Sequence, residues 1–360
     1  MRVFILVIFV SFWGFTNFSV KASDKDVYGR NETEEFNPMD AIIDHISDSH
    51  YWHILSYTNK DGQLAEIAIP LPVIIYFRGR LSIFLSGEFN HGTRVVEKGG
   101  NYFVLYHDKV YVTGINGNLD LNEDGNPNNE RPLDFSITKN VGSMWLSAFF
   151  LLWIFIYVAR RYENHPSTPK GVQSLLEPII LFVRDDIAVA QIGENKARKF
   201  MPYLLTLFFF IWINNLIGLI PIFPGGSNLS GNISFTMMLA LITFLITNIN
   251  GSRNYWRHLF WTPGIPVWVR FFLIPVEFIG LFTKPFALMI RLFANITAGH
   301  IIILSLVSLI FVMKTIYIAP VSILLSLVMF MLELLVAVLQ AYIFTLLSAL
   351  FIGLAIQEEH

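Results

Sequence analysis

The chain has 360 residues with 25 basic and 27 acidic side chains, a formal charge of −2, so its bulk electrostatics give no signal for a nucleic-acid partner. Hydrophobic residues make up 54% and charged residues only 14%, against the ~25% charged of a soluble globular domain. That balance indicates a membrane protein, and the absence of cysteine excludes a disulfide framework, a thiol nucleophile and cysteine-ligated zinc or iron–sulfur sites.

The first segment, MRVFILVIFVSFWGFTNFSVKAS, has Arg2, an apolar run from Val3 and a V-x-A sequence ending at Ala22. It reads as a cleavable export signal over residues 1–22. The alternative is an uncleaved anchor, for which the run before Asn17 is short of the ~20 residues a span needs. Both readings put residue 24 onward outside the cytoplasm. Residues 24–139 hold 18 acidic and 10 basic side chains, net −8, whereas residues 140–360 hold 9 and 13, net +4. Two different solvents are implied.

Within the first part, PMDAIIDHISDSHYWHI predicts a short amphipathic helix followed by polar turn residues. QLAEIAI, VIIYFRGRLSIFL and NYFVLYHDKVYV alternate with the period of two and predict strands. A small extracytoplasmic α+β or β region over residues 23–139 follows. LDLNEDGNPNNER places Asp120, Asn122, Asp124 and Gly125 as in a calcium loop, but its twelfth position is Arg131 where a bidentate glutamate is needed. His50 and His53, with Asp48 and His45 nearby, have the residue types of a zinc site, the simpler reading being an exposed histidine-rich turn. No metal and no cofactor is expected.

From Val141 the pattern changes to long apolar runs. Segments 141–159, 201–222 and 232–250 contain no charge and are each about one span long. Two longer stretches follow, 267–312 and 316–356, separated by little more than Lys314. At 1.5 Å per residue the last is ~60 Å if helical, twice the ~30 Å hydrocarbon thickness. The pair must tilt steeply, kink or break, with Pro275, Pro285, Gly299 and Pro320 as possible places. The expected fold is an all-α membrane protein with five crossings and a long tilted C-terminal helical hairpin, residues 140–360, behind the small N-terminal region.

Lysine and arginine set the orientation. Arg160, Arg161, Lys170, Arg184, Lys196, Arg198 and Lys199 crowd one loop, and Arg253, Arg257 and Arg270 the next on the same side, whereas the loop after residue 222 has none. This predicts the 160–199 loop and, after five crossings, the C-terminus inside and the N-terminal region outside. GVQSLLEPIILFVRDDIA has an apolar face suited either to the membrane surface or to another subunit.

Arg270, Glu277, Lys284 and Arg291 fall seven residues apart in one apolar stretch. Seven residues is about 700° of rotation, so the four drift by only ~20° per step and form a stripe. Charges cost ~2.5–3.5 kcal/mol each at the bilayer centre on insertion scales, and they face protein or water. Arg291 lies in the body of the run with Ala287, Ala294 and Ala298 on its face, small residues that let another helix approach. Its partner is then a helix bearing a carboxylate, or else Glu277 or Glu333 of this chain. Arginine does not release its proton at working pH, so it holds a fixed charge and cannot relay. Groups that can are His300, about 180° around the helix from Arg291, and Glu333, with Gln340 seven residues further on one face. Asn295, one turn past Arg291, can hydrogen-bond the same incoming carboxylate.

LIPVEFIGLFTKPFALMIRLFANITAGH (273–300) followed by LELLVAVLQAYIF (332–344) resembles subunit a of the F-type ATP synthase, and FIWINNLIGLIP (210–221) and GVQSLLEPIILFVRDDIA are similar to the same family's second spanning helix and cytoplasmic loop. The resemblance covers about residues 140–356. It implies a stator subunit whose two long tilted helices wrap against a rotating ring of c subunits, within an assembly that includes the b subunits of the peripheral stalk. It implies that Arg291 is the essential arginine that meets the ring carboxylate and separates two half-channels. Asn295 and Gln340 match polar positions beside it. His300 and Glu333 match the positions that carry an acid and a histidine in either order near the outer half-channel, Glu277 an acidic position of the inner one, and Lys284 a basic residue before a proline. Gly218 stands where some members have an aspartate, leaving Asn214 and Asn215 as polar candidates. The long N-terminal region departs from the family pattern, and no activity carries over to it.

The chain has no Gly-x-x-x-x-Gly-Lys-Ser/Thr loop and so no such nucleotide site of its own. The expected function is proton translocation coupling the gradient to ATP synthesis. A sodium-driven version of the same subunit, a stand-alone ion transporter, and an exported binding protein on a membrane anchor remain as rivals, though the last needs only one span and leaves Arg291 unexplained.

Overall fold

In the computed structural model of the protein the described residues are 42, 47–58, 64–90, 92–122, 125–164, 171–220, 225–261, 266–313 and 315–357. The expected export signal, most of the helix expected from residue 38, His45, Asp124, Lys170, Lys314 and the side chain of Arg270 lie outside them.

The N-terminal part is built of antiparallel strands: β1 (Tyr51–Thr58) with β2 (Leu64–Pro70), then β4 (Arg80–Leu85), β3 (Pro72–Phe77) and β8 (Leu133–Asp134) in that order, then β5 (Val96–Lys98), β6 (Asn101–Tyr106) and β7 (Lys109–Thr113). Two of the expected strands are hairpins. VIIYFRGRLSIFL reverses at Arg78 and Gly79, with φ of 46° and 79°, and NYFVLYHDKVYV at His107 and Asp108, with φ of 46° and 55°. Consecutive positive φ values match the twist of flanking strands, and neither tip interrupts the apolar alternation enough to be read from it. The end of the expected amphipathic helix is also corrected: Tyr51 and Trp52 open β1, pairing with Pro70 and Ile69. Val73, Ile75, Phe84, Phe89, Phe103 and Val110 form the core of this region, each worth roughly 1.5–3 kcal/mol on burial.

Chain order then gives α1 (Lys139–Asn164), α2 (Val172–Phe182) running on through a π turn at Val183–Val189, α3 (Glu194–Leu219), α4 (Ile233–Ile249), α5 (Arg253–Phe260), α6 (Val267–Val312) and α7 (Ala319–Ile356). Among the described residues four helical segments, Lys139–Glu163, Glu194–Leu219, Phe271–Val312 and Ala319–Ile356, are long and apolar enough to cross a membrane. The pair α4 and α5, bent by 103°, makes a fifth if taken as one broken span. Of the three possibilities for the long hairpin, a break is absent from α6: Pro275 and Pro285 lie inside one helix of 46 residues, about 69 Å long. A proline removes one backbone bond, and the rest of the helical ladder holds through both sites. Pro320 sits in the first turn of α7, where no donor is required.

α7 is the spine, contacting α3 and α6, with α4 against α6 and α1 against α3. Its buried side is small, with Ala337, Ala341 and Ala349 fully covered, and a Cβ on Gly353 would stand 2.1 Å from the Gln191 carbonyl oxygen. The segment GVQSLLEPIILFVRDDIA does part of its packing inside this chain: Val183, Ile187 and Ala188 are fully buried in the same core as α3 and α7. The other faces of α6 and α7 are open, with Phe271, Phe272, Ile279, Phe286, Leu324 and Leu335 among their exposed apolar residues.

The β region docks on the start of α1. Asp48 Oδ1 accepts from the Asn140 N–H at 3.1 Å and its Oδ2 from Thr138 Oγ1 at 2.9 Å, satisfying free donors of the first helical turn. The Trp52 ring lies where a Cβ on Gly142 would touch it at 3.0 Å. His50, expected on an exposed turn, is buried with its Nε2 3.2 Å from Asp134 Oδ2; His53 is exposed. Among the described residues no three histidine or carboxylate side chains group so as to hold a metal ion.

Burial alone would lower the pKa of His50, but the hydrogen bond and charge of Asp134, with Asp108 and Asp48 beyond, raise it above the ordinary 6.5. Burial pushes the Asp48 carboxyl up, and its bonds to Asn140 and Thr138 only partly offset this. Burial would also raise Asp134, yet the bonds from His50 and Ser136 hold it below 3.8. Raised groups stabilise the fold below their unfolded pKa and lose that contribution as pH rises; a lowered group does the reverse. Hydrogen-exchange protection of the Ser49–Tyr51 amides, corrected for intrinsic rate, is therefore expected to fall as pH rises above 6.5, through His50, and again below 3.8, through Asp134. Protection that stays level from pH 6 to 9 would contradict it.

Candidate functional site

The described members of the charged stripe, Glu277, Lys284 and Arg291, part company once the helices pack. Glu277 Oε1 lies 3.5 Å from His258 Nδ1 on α5, and Lys284 Nζ stands 5.7 Å from the centre of the Phe351 ring on α7. Arg291 has no ion-pair partner among the described residues. It is exposed together with Ala287, Ala294, Asn295 and Ala298. Neither carboxylate of this chain that could have paired with it does so, because Glu277 faces His258 and Glu333 faces His300. The structure thus leaves a fixed cation and an amide on an open helix face floored by alanines.

The opposite face of α6 is buried against α7, and here His300 and Glu333 meet. His300 Nδ1 and Glu333 Oε1 are 2.6 Å apart with side chains 10% and 2% exposed. The contact is close but out of hydrogen-bond alignment, so both Glu333 oxygens are buried without a hydrogen-bond partner among the described residues. Gly299 makes the approach possible: a Cβ there would stand 2.9 Å from both Cδ and Oε1 of Glu333. Gly299→Ala is expected to displace the carboxylate, destabilise the hairpin by about 1–3 kcal/mol as overpacking does, and slow ion flux through the reconstituted assembly by about tenfold. Unchanged flux would show that Glu333 is not held in place by this contact.

Other predicted residues converge on the same buried side. Asn215 Nδ2 donates to the Ala337 carbonyl at 3.3 Å, one turn beyond Glu333, and its Oδ1 accepts from Ser230 Oγ. Gln340 is buried on the next turn of α7. Asn214 Nδ2 donates to its own helix at Phe210 O at 2.6 Å, leaving Oδ1 buried without a partner. Gly218 faces the pair, since a Cβ there would lie 3.9 Å from His300 Nε2 and 3.2 Å from the Ser227 carbonyl. An acidic side chain at this position would reach the histidine; here that space adjoins the 225–232 segment instead. Arg291, Asn295, His300, Glu333 and Gln340 therefore split between two faces of one hairpin, and Glu277 stands apart beside α5.

Sequence reasoning missed the contribution of the connecting segment and of α1. Ser227 Oγ donates to Asn140 Oδ1 at 2.6 Å, and Ser143, Ser147, Asn228 and Ser230 are buried. The run GGSNLSGN carried the signal, being polar between two apolar spans, but nothing in it says that it folds inward.

Comparison with known proteins places the geometry in context. A family model described as ATP synthase A chain matches residues 141–353, and one described as a domain of unknown function matches residues 41–135. ATP synthase subunit a of Chloroherpeton thalassium is 49% identical over 326 residues, covering 85% of this chain and 96% of its own, a share that reaches into the β region. The subunit a of Chlorobium phaeobacteroides strain BS1 is 48% identical, covering 63% of this chain and 68% of its own. That of Myxococcus xanthus is 43% identical, with 63% and 75% covered.

Proposed function

The chain belongs to the ATP synthase A chain family, a family of integral membrane subunits that move ions in the membrane sector of the synthase, and from this premise we propose that it passes protons between two half-channels and the c-ring. Residues 23–139 form the region outside a bacterial inner membrane and residues 140–360 the membrane domain, with the C-terminus inside. The observation that carries the reading is the two-faced hairpin: Arg291 on an open alanine-lined face and the His300–Glu333 pair buried behind it.

Protons from outside reach Glu333 and His300, protonate a ring carboxylate, travel around with the ring, and leave past Glu277 and His258. Arg291 meets the deprotonated ring carboxylate and blocks a direct path, since it neither gives up its proton nor tolerates a passing cation. Asn295 beside it and Gln340 behind it orient the exchange. Lys284, Asn214 and Asn215 support the two paths, and the b subunits of the peripheral stalk hold the chain still against the ring.

A histidine–carboxylate pair favours protons over sodium, because each member can take and release a proton and the pair supplies no cage of oxygens. The test is flux in vesicles holding the assembled membrane sector, driven by a pH gradient or a sodium gradient. Flux that follows the pH gradient and needs the ring supports the reading. Flux driven by sodium alone would favour the sodium version, and flux from this chain without the ring a stand-alone transporter.

A further inference from the structure

We propose that the outer half-channel begins in the β region, with His50 as its first proton-exchanging group and the Asn140–Ser227–Asn228 junction leading from it to His300 and Glu333. The inference rests on the reading above that His300 and Glu333 serve uptake from outside.

A series of neighbouring polar groups runs between the two places. His50 is 2% exposed, with its Nε2 on Asp134, whose side chain is 27% exposed. Asp108 lies beyond, held by Ser49 Oγ at 2.8 Å, and Asp48 and Lys139 complete the charged groups around it. Asp48 accepts from the Asn140 backbone N–H, the Asn140 side chain accepts from Ser227 Oγ, and the Ser227 carbonyl and His300 Nε2 both lie beside Gly218, 3.2 Å and 3.9 Å from where a Cβ would stand. Ser230 reaches Asn215, which reaches the turn after Glu333.

Along the same series, polar atoms are buried without a partner: His50 Nδ1, Ser143 Oγ, Asn228 Nδ2, Asn214 Oδ1 and both Glu333 oxygens. Each such atom costs about 1–3 kcal/mol if left so, and native proteins keep few of them. These six atoms lie on residues of that series or within one helical turn of them, from the β region to the His300–Glu333 pair, and water, which can donate and accept, is the small ligand able to complete their hydrogen bonds.

The chemistry at His50 is defined by its two nitrogens. With Nε2–H donating to Asp134, Nδ1 holds the free lone pair. It takes a proton from water on the outer side, the imidazolium is held by Asp134, and Nδ1–H then gives the proton to water on the junction side. The ring returns to neutral and the proton moves on to the His300–Glu333 pair. Only N–H and O–H bonds form and break. Asn140, Ser227 and Asn228 are positioning residues, since an amide does not exchange protons on this path. The net charge of −8 over residues 24–139 raises the local concentration of hydronium at this entrance.

The test uses the complete synthase in vesicles, with ATP synthesis measured while the pH of the uptake side is varied at constant driving force. His50→Gln is expected to lower the rate about tenfold above pH ~7, where free protons are scarce, and to converge on wild type in acid. A merely structural residue would scale the rate at every pH alike. The chain lacks cysteine, so Asn228→Cys and Ser143→Cys allow a second measurement: silver ion added on the uptake side is expected to react and block flux. A wild-type or uniformly scaled pH profile for assembled His50→Gln overturns the proposal, and if that variant does not assemble, unreactive cysteines overturn it. Glu333→Gln run in parallel separates the two readings. If it blocks flux while His50→Gln fails the test, only this extension falls; if Glu333→Gln conducts normally, the half-channel reading falls with it.

Discussion

Arg291→Ala is expected to abolish coupled ATP synthesis while leaving the chain assembled. The side chain sits on an exposed face with Ala287, Ala294, Asn295 and Ala298 and makes no ion pair among the described residues, so removing it breaks no packing or bridge within this chain. What is lost is a fixed charge in an apolar surround. With it goes the repulsion that keeps a proton from passing directly between the half-channels. Synthesis should fall to about 1% or less of wild type, measured as ATP formed per imposed pH gradient, while passive proton flux through the membrane sector persists or increases. Arg291→Lys should restore little, because a lysine in such a place loses its proton readily and lacks the two-pronged geometry for a carboxylate. A mutant that synthesises ATP at the wild-type rate would remove Arg291 from the mechanism.

Glu333→Gln is the second large effect. Glutamine keeps the size and hydrogen-bonding capacity of the side chain, so the buried contact between α6 and α7 persists, but it cannot carry a proton. His300, 2.6 Å away, is left to exchange with water unaided. Losing a positioned proton-transfer group lowers rates by about 10²–10⁴, and a drop of at least a hundredfold is expected in both gradient-driven synthesis and ATP-driven pumping. The exchange His300→Glu with Glu333→His tests the pairing directly, since it keeps one acid and one histidine across the same contact. Recovery well above either single variant is expected. A double variant no better than the singles would mean that the two act separately, and Glu333→Gln at full rate would place the outer path elsewhere.

Much of the helical part was legible because each span announces itself by an uninterrupted apolar run, and the positions of Arg291, His300 and Glu333 stood out as polar groups within such runs. Periodicity also placed Arg291 and His300 on opposite sides of α6, which the burial of one and exposure of the other bear out. The stripe of four charges, in contrast, was a correct register with the wrong grouping. Spacing along α6 puts Glu277 in line with Arg291, but α5 turns back beside it and supplies His258. No pattern within a single helix contains that information.

The sequence by itself determined that this is a chain of long apolar helices behind a small acidic, strand-rich region, since span length and alternation are local properties of the backbone in its solvent. Only the tertiary structure decided which polar groups share an environment. Asp48 ends on α1, Ser227 on Asn140, and Gly299 admits Glu333, all contacts between segments far apart in the chain. Their geometry follows from close packing of several helices at once, in which a missing Cβ or a buried lone pair matters only through what another segment places against it.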